Sequence, residues 1–444
     1  MTSLGAAPAN RAAWIARFGA LAPFRMRSYR FQWPADLLTS WAFEMETLIL
    51  GWYVLVATDS VLMLTVYGAL LYVGTLIAPM VGVWSDRIGH RNMLSAMRAV
   101  YALVAATVMA LAFTGTLRPS LVLVLAAFTG VVRPSDMGLR GALIADTIPA
   151  DRLTAAMGIS RTTSDSARIA GALTGAGLFA AIGIGPSYVV ITAFYLLGAV
   201  LTFNAVMPRD EAQAAAAPAA PAAPAEPPSP PSPWRELREG LALIWNHPRL
   251  LAIIWYAVLF NFAVFPLTNG LMPYAARDVY RVDQTGLGYL LASVAFGAFV
   301  GSLSMTRSGL RVELARLMIV AAVVWHILVL TFAQMQAMPG GIVVLMLAGF
   351  AQSLTMVSHT VILLRASSPR YRGRVMGVRM LAIYSLPLGL LAAGVLIGWI
   401  GFRATASLYA VLGLVFTVLI AVRWRVALWR ASGADGVASH QRQF

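Results

Sequence analysis

Apolar residues fall into long runs along this chain, and short polar segments separate the runs. Each run is close to the ~20 residues that an α-helix needs to cross a ~30 Å hydrocarbon core. Backbone groups in lipid must bond within their own segment, so the runs predict transmembrane helices. Six predicted spans lie in the first half, at 35–57, 61–84, 93–114, 121–145, 155–182 and 186–207. Six more follow, at 250–273, 286–305, 315–334, 341–364, 374–398 and 402–422.

Composition agrees with a membrane protein and narrows its chemistry. Hydrophobic residues make up 59% of the chain, charged residues 11%, and the mean hydropathy is +0.75. A soluble protein of this length could not bury that much apolar surface. The chain has no cysteine, which excludes disulfides, thiolate nucleophiles and most transition-metal sites. We expect no metal and no cofactor.

The formal charge of +15 reports membrane topology rather than nucleic-acid binding, because every basic residue is an arginine and the arginines are scattered among loops. Arginine and lysine accumulate in cytoplasmic loops. With the N-terminus inside, most arginines outside the spans lie on the cytoplasmic side, and four lie opposite: Arg118, Arg277, Arg281 and Arg403. Both termini are therefore expected in the cytoplasm. No cleavable secretory signal precedes the first span, so that helix is its own insertion signal.

A Pro/Ala tract at residues 212–233 separates the two sets of spans and lacks the apolar groups needed for a core. It predicts a mobile linker. We expect a cytoplasmic N-terminal tail at 1–33, a six-helix bundle at 34–207, a linker with an amphipathic segment at 208–249, a second bundle at 250–422 and a C-terminal tail at 423–444. The amphipathic segment, 234–245, has helical spacing that suits the inner membrane surface.

Two sequence motifs recur with nearly the same offset. The loop that begins at Gly82 returns 220 positions later at Ser302, and Pro149-Ala-Asp-Arg152 returns as Pro369-Arg-Tyr-Arg372. Two echoes in the same order indicate an internal duplication. The expected fold class is therefore all-α integral membrane, with twelve transmembrane helices in two pseudo-symmetric six-helix bundles.

The loop between spans 2 and 3 resembles the hallmark G-x3-D-R-x-G-x-R sequence of the major facilitator superfamily. A weaker copy lies between spans 8 and 9. In that family the loop latches the two halves on the cytoplasmic side. The resemblance assigns this cytoplasmic gate motif to Gly82, Asp86, Arg87, Gly89, Arg91, Arg307, Gly309 and Arg311.

The resemblance implies a secondary active transporter of the bacterial inner membrane that works by alternating access. The pattern from Pro369 to Gly377, and Pro387-Leu-Gly389, look like the enterobactin-exporter and macrolide-efflux branch. Proton-driven export of a small organic molecule by a monomer is expected. Lipid movement between leaflets and uptake remain alternatives within transport. Antiporters of the family usually have a Gly-Pro pair on helix 5, whereas Ala172 follows Gly171 here.

A membrane enzyme or a sensor is the alternative from another class. An enzyme would need converging catalytic groups, and the sequence contains no phosphate loop, nucleophile elbow or H-E-x-x-H motif. A sensor would normally add a soluble output domain, and the tails are too short for one. The small-molecule substrate, the lipid bilayer and protons are the expected partners, and no nucleic acid is expected.

Charged residues inside the spans are costly and are candidates for function. Span 4 places Arg133, Asp136 and Arg140 on one helical face, and span 5 does so with Arg161, Asp165 and Arg168. The two triplets could form one structural ion-pair network. Alternatively, Arg133 and Arg168 line the substrate cavity and favour an anionic substrate. Asp36 in span 1 is a third candidate for the cavity.

Glu44 and Glu46 in span 1 are candidates for proton coupling, together with Asp136 and Asp165. Burial favours the neutral form of a carboxyl group, which suits a proton-carrying site. Glu44 and Glu46 point about 200° apart on a helix, so at most one faces the cavity squarely. We give Glu46 a slight preference; a buried acid paired with an arginine of span 5 is the structural alternative. His326 and His359 are interpreted as core residues, not metal ligands.

Overall fold

The computed structural model describes residues 22–76, 81, 84–85, 87–205, 233–307, 313–367 and 372–429. Within these ranges the regular structure is helical and contains no strand. The predicted all-α fold class is confirmed. The predicted Pro/Ala tract at 212–233 lies almost entirely outside the described residues, as do the outer parts of both predicted tails.

Helical segments lie at all of the predicted spans, although the second and sixth spans are described only in part. The first six are α1 (Arg27–Thr58), α2 (Val61–Leu70, followed by a 3-10 turn at Val73–Leu76), α3 (His90–Phe113), α4 (Pro119–Thr147), α5 (Ala150–Ile182) and α6 (Ile184–Phe203). The next four are α7 (Pro248–Ala263), α8 (Gln284–Arg307), α9 (Leu314–Gln334) and α10 (Met338–Ala366). Segment Arg372–Ile383 and the part of Ser385–Arg423 before Gly401 form α11, and the part after it forms α12.

Eight stretches of the described residues are long and apolar enough to cross a membrane by length and composition. They are α3, α4, α6, α7 with its extension to Gly270, α8, α9, α10 and the continuous stretch Val375–Arg423, which contains most of α11 and all of α12. The chain is thus a multi-pass membrane protein. Helices α1, α4 and α5 carry most of the charged residues that form the site described below.

The turn between the last two helices is the same in both halves. Gly183 separates α5 from α6 with φ 78°, and Gly401 separates α11 from α12 with φ 79°. Glycine adopts positive φ without the steric cost that a Cβ would bring. The two glycines are 218 positions apart, so this turn is a third element of the duplication, which the sequence echoes did not include.

The chain folds as two compact units. The first contains Met1–Tyr53 and Leu70–Pro230, and the second contains Val54–Ala69 and Pro231–Phe444, as far as these ranges are described. In the first unit α3 packs against α6 and α4. In the second, α8 packs against α10, and α9 packs against α10 and the α11–α12 segment.

Paired glycines bring helices into backbone contact in each unit. In the first unit, a Cβ added at Gly74 would collide with the carbonyl of Val131, and one at Gly130 would collide with the carbonyl of Leu70. The second unit repeats this reciprocal arrangement: Gly297 faces the Met346 carbonyl, and Gly349 faces the Val294 carbonyl. Only a residue without a side chain permits such close packing of α2 on α4 and of α8 on α10.

The second unit includes the end of α1 and the start of α2. The side chain of Thr65 lies directly over Gly394 of α11. Arg277, after α7, donates a 2.9 Å hydrogen bond to the carbonyl of Leu55 and forms a 2.8 Å ion pair with Asp59. A cation at these last carbonyls also complements the negative end of the helix dipole. One of the few arginines predicted on the outer side therefore holds the C-terminal end of α1.

A helix at Pro233–Asn246, which we call the linker helix, includes the predicted amphipathic segment. It packs against α7 and the first part of α11. Ile244 on its inner side is buried, whereas Trp245 is 72% exposed. A large exposed apolar side chain on a helix that ends next to the membrane span α7 suits a position at the lipid headgroups.

Candidate functional site

A buried ion-pair network joins four helices of the first unit. Asp36 of α1 pairs with Arg98 of α3, and its carboxylate also lies 3.8 Å from Nε of Arg140 on α4. Arg140 pairs in turn with Asp136, one helical turn earlier. Arg98 is completely buried and donates a second hydrogen bond to Thr202 of α6. The carboxylate of Asp36 therefore offsets positive charge on the guanidinium groups of both Arg98 and Arg140.

Arg98 is a residue that the sequence interpretation missed. It lies inside the third predicted span, so the cost of a charge at membrane depth would have identified it. Its partner Asp36, predicted as a cavity residue, takes part in this buried network instead and does not lie among the residues that line the cavity described below.

A second set of charges connects α5 with α1. Arg168 lies with its Nε 3.7 Å from Oε1 of Glu44, and Arg161 lies 3.3 Å from Asp165 on its own helix. Gly171 explains how Arg168 reaches Glu44. A Cβ at Gly171 would lie 2.5 Å from Cβ of Glu44 and 3.0 Å from the carbonyl of Trp41, so the two helices touch at Glu44, one turn along α5 from Arg168.

A cavity of about 320 Å³ opens between α1, α4 and α5 of the first unit. Its volume lies at the lower end of the range for small-molecule sites. Four arginines and two carboxylates line it, together with apolar and hydroxyl side chains. The charged residues are Arg133, Arg140, Arg161, Arg168, Glu44 and Asp136; Phe43, Met137 and Met157 supply most of the apolar surface, and Ser40, Ser160 and Ser164 the hydroxyl groups.

Arg133 is held at this cavity by two contacts with α1. Its guanidinium lies 4.5 Å from the centre of the Phe43 ring and donates a 3.2 Å hydrogen bond to Thr47. A cation over an aromatic face is attracted by the ring quadrupole. The structure thus brings both predicted cavity arginines, Arg133 and Arg168, to one cavity.

The two glutamates of α1 have different surroundings. Glu44 lines the cavity, whereas Glu46 is 6% exposed and accepts a 2.7 Å hydrogen bond from the hydroxyl of Tyr195 on α6. Of the other candidate carboxylates, Asp136 lines the cavity and Asp165 lies behind Arg161. The position of Glu46 gives no support to the slight preference for it as the cavity-facing residue.

Comparison with protein families identifies the fold. A family model for the Major Facilitator Superfamily matches residues 37–386. The chain belongs to the Major Facilitator Superfamily. The members of this family are transporters that bind small-molecule substrates within the membrane, and they are not enzymes. A comparison with curated protein sequences found no match.

Solved structures of other transporters share the superfamily fold at low sequence identity. The nucleoside transporter NupG superposes with a TM-score of 0.66 at 13% identity, over 91% of this chain and 100% of that one. The human organic anion transporter MFSD10 gives 0.62 at 15%, over 89% and 99%. The POT family transporter PepTSo gives 0.70 at 12%, over 91% and 99%. These likenesses show the fold alone.

The superfamily gate motif is described only in part. Gly89 has φ 90° directly before α3, which a tight turn requires. Arg91 donates a 3.2 Å hydrogen bond to the carbonyl of Ala205, just after α6. Arg87 is exposed. The motif residues Gly82, Asp86, Gly309 and Arg311, and the side chain of Arg307, lie outside the described residues.

The two membrane histidines each bond to a backbone carbonyl in this superfamily member. Nδ1 of His326 lies 2.7 Å from the carbonyl of Ala322, and Nε2 of His359 lies 3.0 Å from that of Ile253. Both rings are almost fully buried. Among the described residues, no group of three or more His, Asp or Glu side chains could hold a metal ion.

Proposed function

We propose that this transporter moves a small organic anion across the bacterial inner membrane, coupled to protons, by alternating access. One observation carries the proposal: four arginines line the cavity of the first unit and two carboxylates oppose them. Among the lining residues arginines outnumber carboxylates, and Asp165 offsets the charge of Arg161 from outside the lining. In a site of low dielectric constant, the remaining excess of positive charge favours a negatively charged ligand. The apolar side chains of Phe43, Met137 and Met157 provide a surface on which an apolar part of that ligand can pack.

Further features of the proposal come from the sequence. Arginine placement supports cytoplasmic termini. We also propose that the two six-helix bundles comprise residues 34–207 and 250–422. Asp86 belongs to the cytoplasmic gate, and the protein works as a monomer. The resemblance to the enterobactin-exporter and macrolide-efflux branch favours export. Uptake is the second candidate, and the Glu44–Arg168 pair in the cavity favours it.

Transport into proteoliposomes tests the substrate class. The substrates are benzoate, 1-naphthoate and their uncharged amides, offered under an imposed pH gradient with and without a protonophore. Benzoic and naphthoic acids also cross lipid in their neutral form, so protein-free liposomes give the background. We expect acids, but not amides, to enter faster than this background, and the excess to disappear when the gradient is abolished. Arg133→Gln should slow transport about tenfold or more, because a charge-assisted hydrogen bond to the substrate is lost.

Arg316→Gln is the matched control for that variant. Arg316 is an exposed arginine of the second unit, paired with Glu313 at 2.8 Å and remote from the cavity residues in sequence. Its replacement should leave the transport rate unchanged. Equal transport of acids and amides, or equal loss in the two variants, would contradict an anion-selective cavity.

A further inference from the structure

The cavity contains one ion pair whose two partners are both accessible to a ligand. The side chains of Glu44 and Arg168 are 32% and 27% exposed, and both line the cavity. The other carboxylates of the described site are more enclosed. Asp136 is 5% exposed beside Arg140, and the 3% exposed side chain of Asp165 lies beside Arg161. A ligand that enters the cavity therefore meets the Glu44–Arg168 pair directly.

We propose that Glu44 and the carboxylate of the substrate are alternative partners of Arg168, so that the transporter binds a proton and the anion together. This inference rests on the proposed function and specifies its coupling. When Glu44 takes a proton from water, its negative charge disappears and the guanidinium of Arg168 can bind the substrate carboxylate. When Glu44 is ionised, it occupies Arg168 and repels the anion.

The charges around Glu44 set the conditions of this exchange. On α1 its ionisable neighbours are Asp36 and Glu46, each engaged with a partner on another helix. From α4 it faces Arg133, Asp136 and Arg140, and from α5 it faces Arg161 and Arg168. The surrounding arginines impose a positive field on the carboxylate of Glu44. A bound anion cancels part of that positive field and makes protonation easier.

Binding coupling of this kind is reciprocal. If protonation of Glu44 strengthens anion binding, then anion binding must strengthen proton binding by the same factor. A proton and a monovalent anion then cross as an electrically neutral pair. With protons entering the cell down their gradient, the pair supports uptake. An exchanger requires the opposite sign, in which proton and substrate exclude each other.

Calorimetric titration of the full-length protein in nanodiscs tests the sign. Benzoate and 1-naphthoate are the probes, and the pH runs from about 6 to about 9, where both acids remain ionised. We expect affinity to fall by up to about tenfold per pH unit, because one proton is taken up per anion bound. Buffers with different ionisation enthalpies report that proton directly.

The Glu44→Gln variant is expected to gain affinity for benzoate at high pH, a result that a misfolded protein cannot give. It mimics the protonated carboxyl group, so at high pH it should bind benzoate more tightly than the wild type, with no pH dependence and no proton uptake. Arg168→Gln should bind weakly at every pH. Glu313→Gln, the same change at an acid of the second unit paired with Arg316, should retain the wild-type pH dependence.

The outcomes separate this inference from the proposed function. If acids bind in preference to amides but Glu44→Gln keeps the pH dependence, or Glu46→Gln loses it instead, the assignment to Glu44 is overturned and the anionic substrate class stands. If acidification weakens binding, the sign is reversed and exchange is supported. If amides bind as well as acids, or no acid binds at any pH, the anionic class itself fails and the pairing fails with it.

Discussion

At the scale of single residues, the buried network of the first unit shows how charges are tolerated inside the membrane. Arg98 has no exposed surface, and its guanidinium bonds to Asp36 and Thr202. Arg140 bonds to Ser40 as well as to its carboxylate partners. Most of these contacts join different helices, so the network holds α1, α3, α4 and α6 in register.

Removing one partner of this network should be far more harmful than removing both. Asp36→Asn leaves Arg98 charged and buried, and we expect a loss of about 3–5 kcal/mol in stability. The double variant Asp36→Asn with Arg98→Met should recover part of that loss. Thermal unfolding in detergent measures both. Equal melting temperatures for Asp36→Asn and wild type would show that the pair contributes nothing to stability.

Sequence reasoning identified most of the charged residues of the site, and it left the pairing of a span 1 acid with a span 5 arginine as an open alternative. The four-residue spacing predicted that Asp136 and Arg140 share a face, and they do pair. The angular argument for Glu44 and Glu46 could not decide which one faces the cavity, because that depends on how α1 is rotated. Gly171 decides it, since close approach of α5 places Glu44 beside Arg168, and no local pattern reveals such a contact.

At the scale of helices, the paired glycines make a sharp comparison possible within α4. Gly130 faces the Leu70 carbonyl, whereas a Cβ at Gly138 would meet no atom within 4 Å. Gly130→Ala should separate α2 from α4 and reduce the folded fraction severely. Gly138→Ala should be neutral or stabilising by about 0.5–1 kcal/mol, because alanine suits a helix interior better than glycine.

Size-exclusion profiles and melting temperatures of Gly130→Ala and Gly138→Ala, each compared with the wild type, test this predicted difference in stability. A folded, wild-type-like Gly130→Ala protein would mean that the helices can move apart at no cost. The corresponding glycine of the second unit, Gly349, offers an independent repetition because it faces the Val294 carbonyl in the same way.

Helix positions were predictable from the sequence because apolar run length is a local property. The span predicted at 315–334 became α9 at Leu314–Gln334, and the span at 93–114 became α3 at His90–Phe113. Membership of the units was not predictable in that way. Residues 54–69 belong to the second unit through contacts such as Thr65 with Gly394, which link positions far apart in the chain.

At the scale of the whole molecule, the Pro/Ala tract is predicted to be a tether and nothing more. Deleting several residues within 214–225 should leave transport nearly unchanged while the remaining chain still reaches the linker helix. Transport in proteoliposomes, normalised to protein abundance, measures the effect. Loss of activity at normal abundance would show that this segment has a specific role.

The reciprocal glycine contacts also have a historical meaning. Gly74 and Gly130 find their partners within the first unit, and Gly297 and Gly349 find theirs within the second. At these positions, each glycine packs against a backbone carbonyl of its own unit. An ancestral protein of six helices would have had the same pair of glycines at its helix contacts. Tandem duplication and fusion of its gene account for two copies of the contact in one polypeptide, each preserved after the surrounding sequences had diverged.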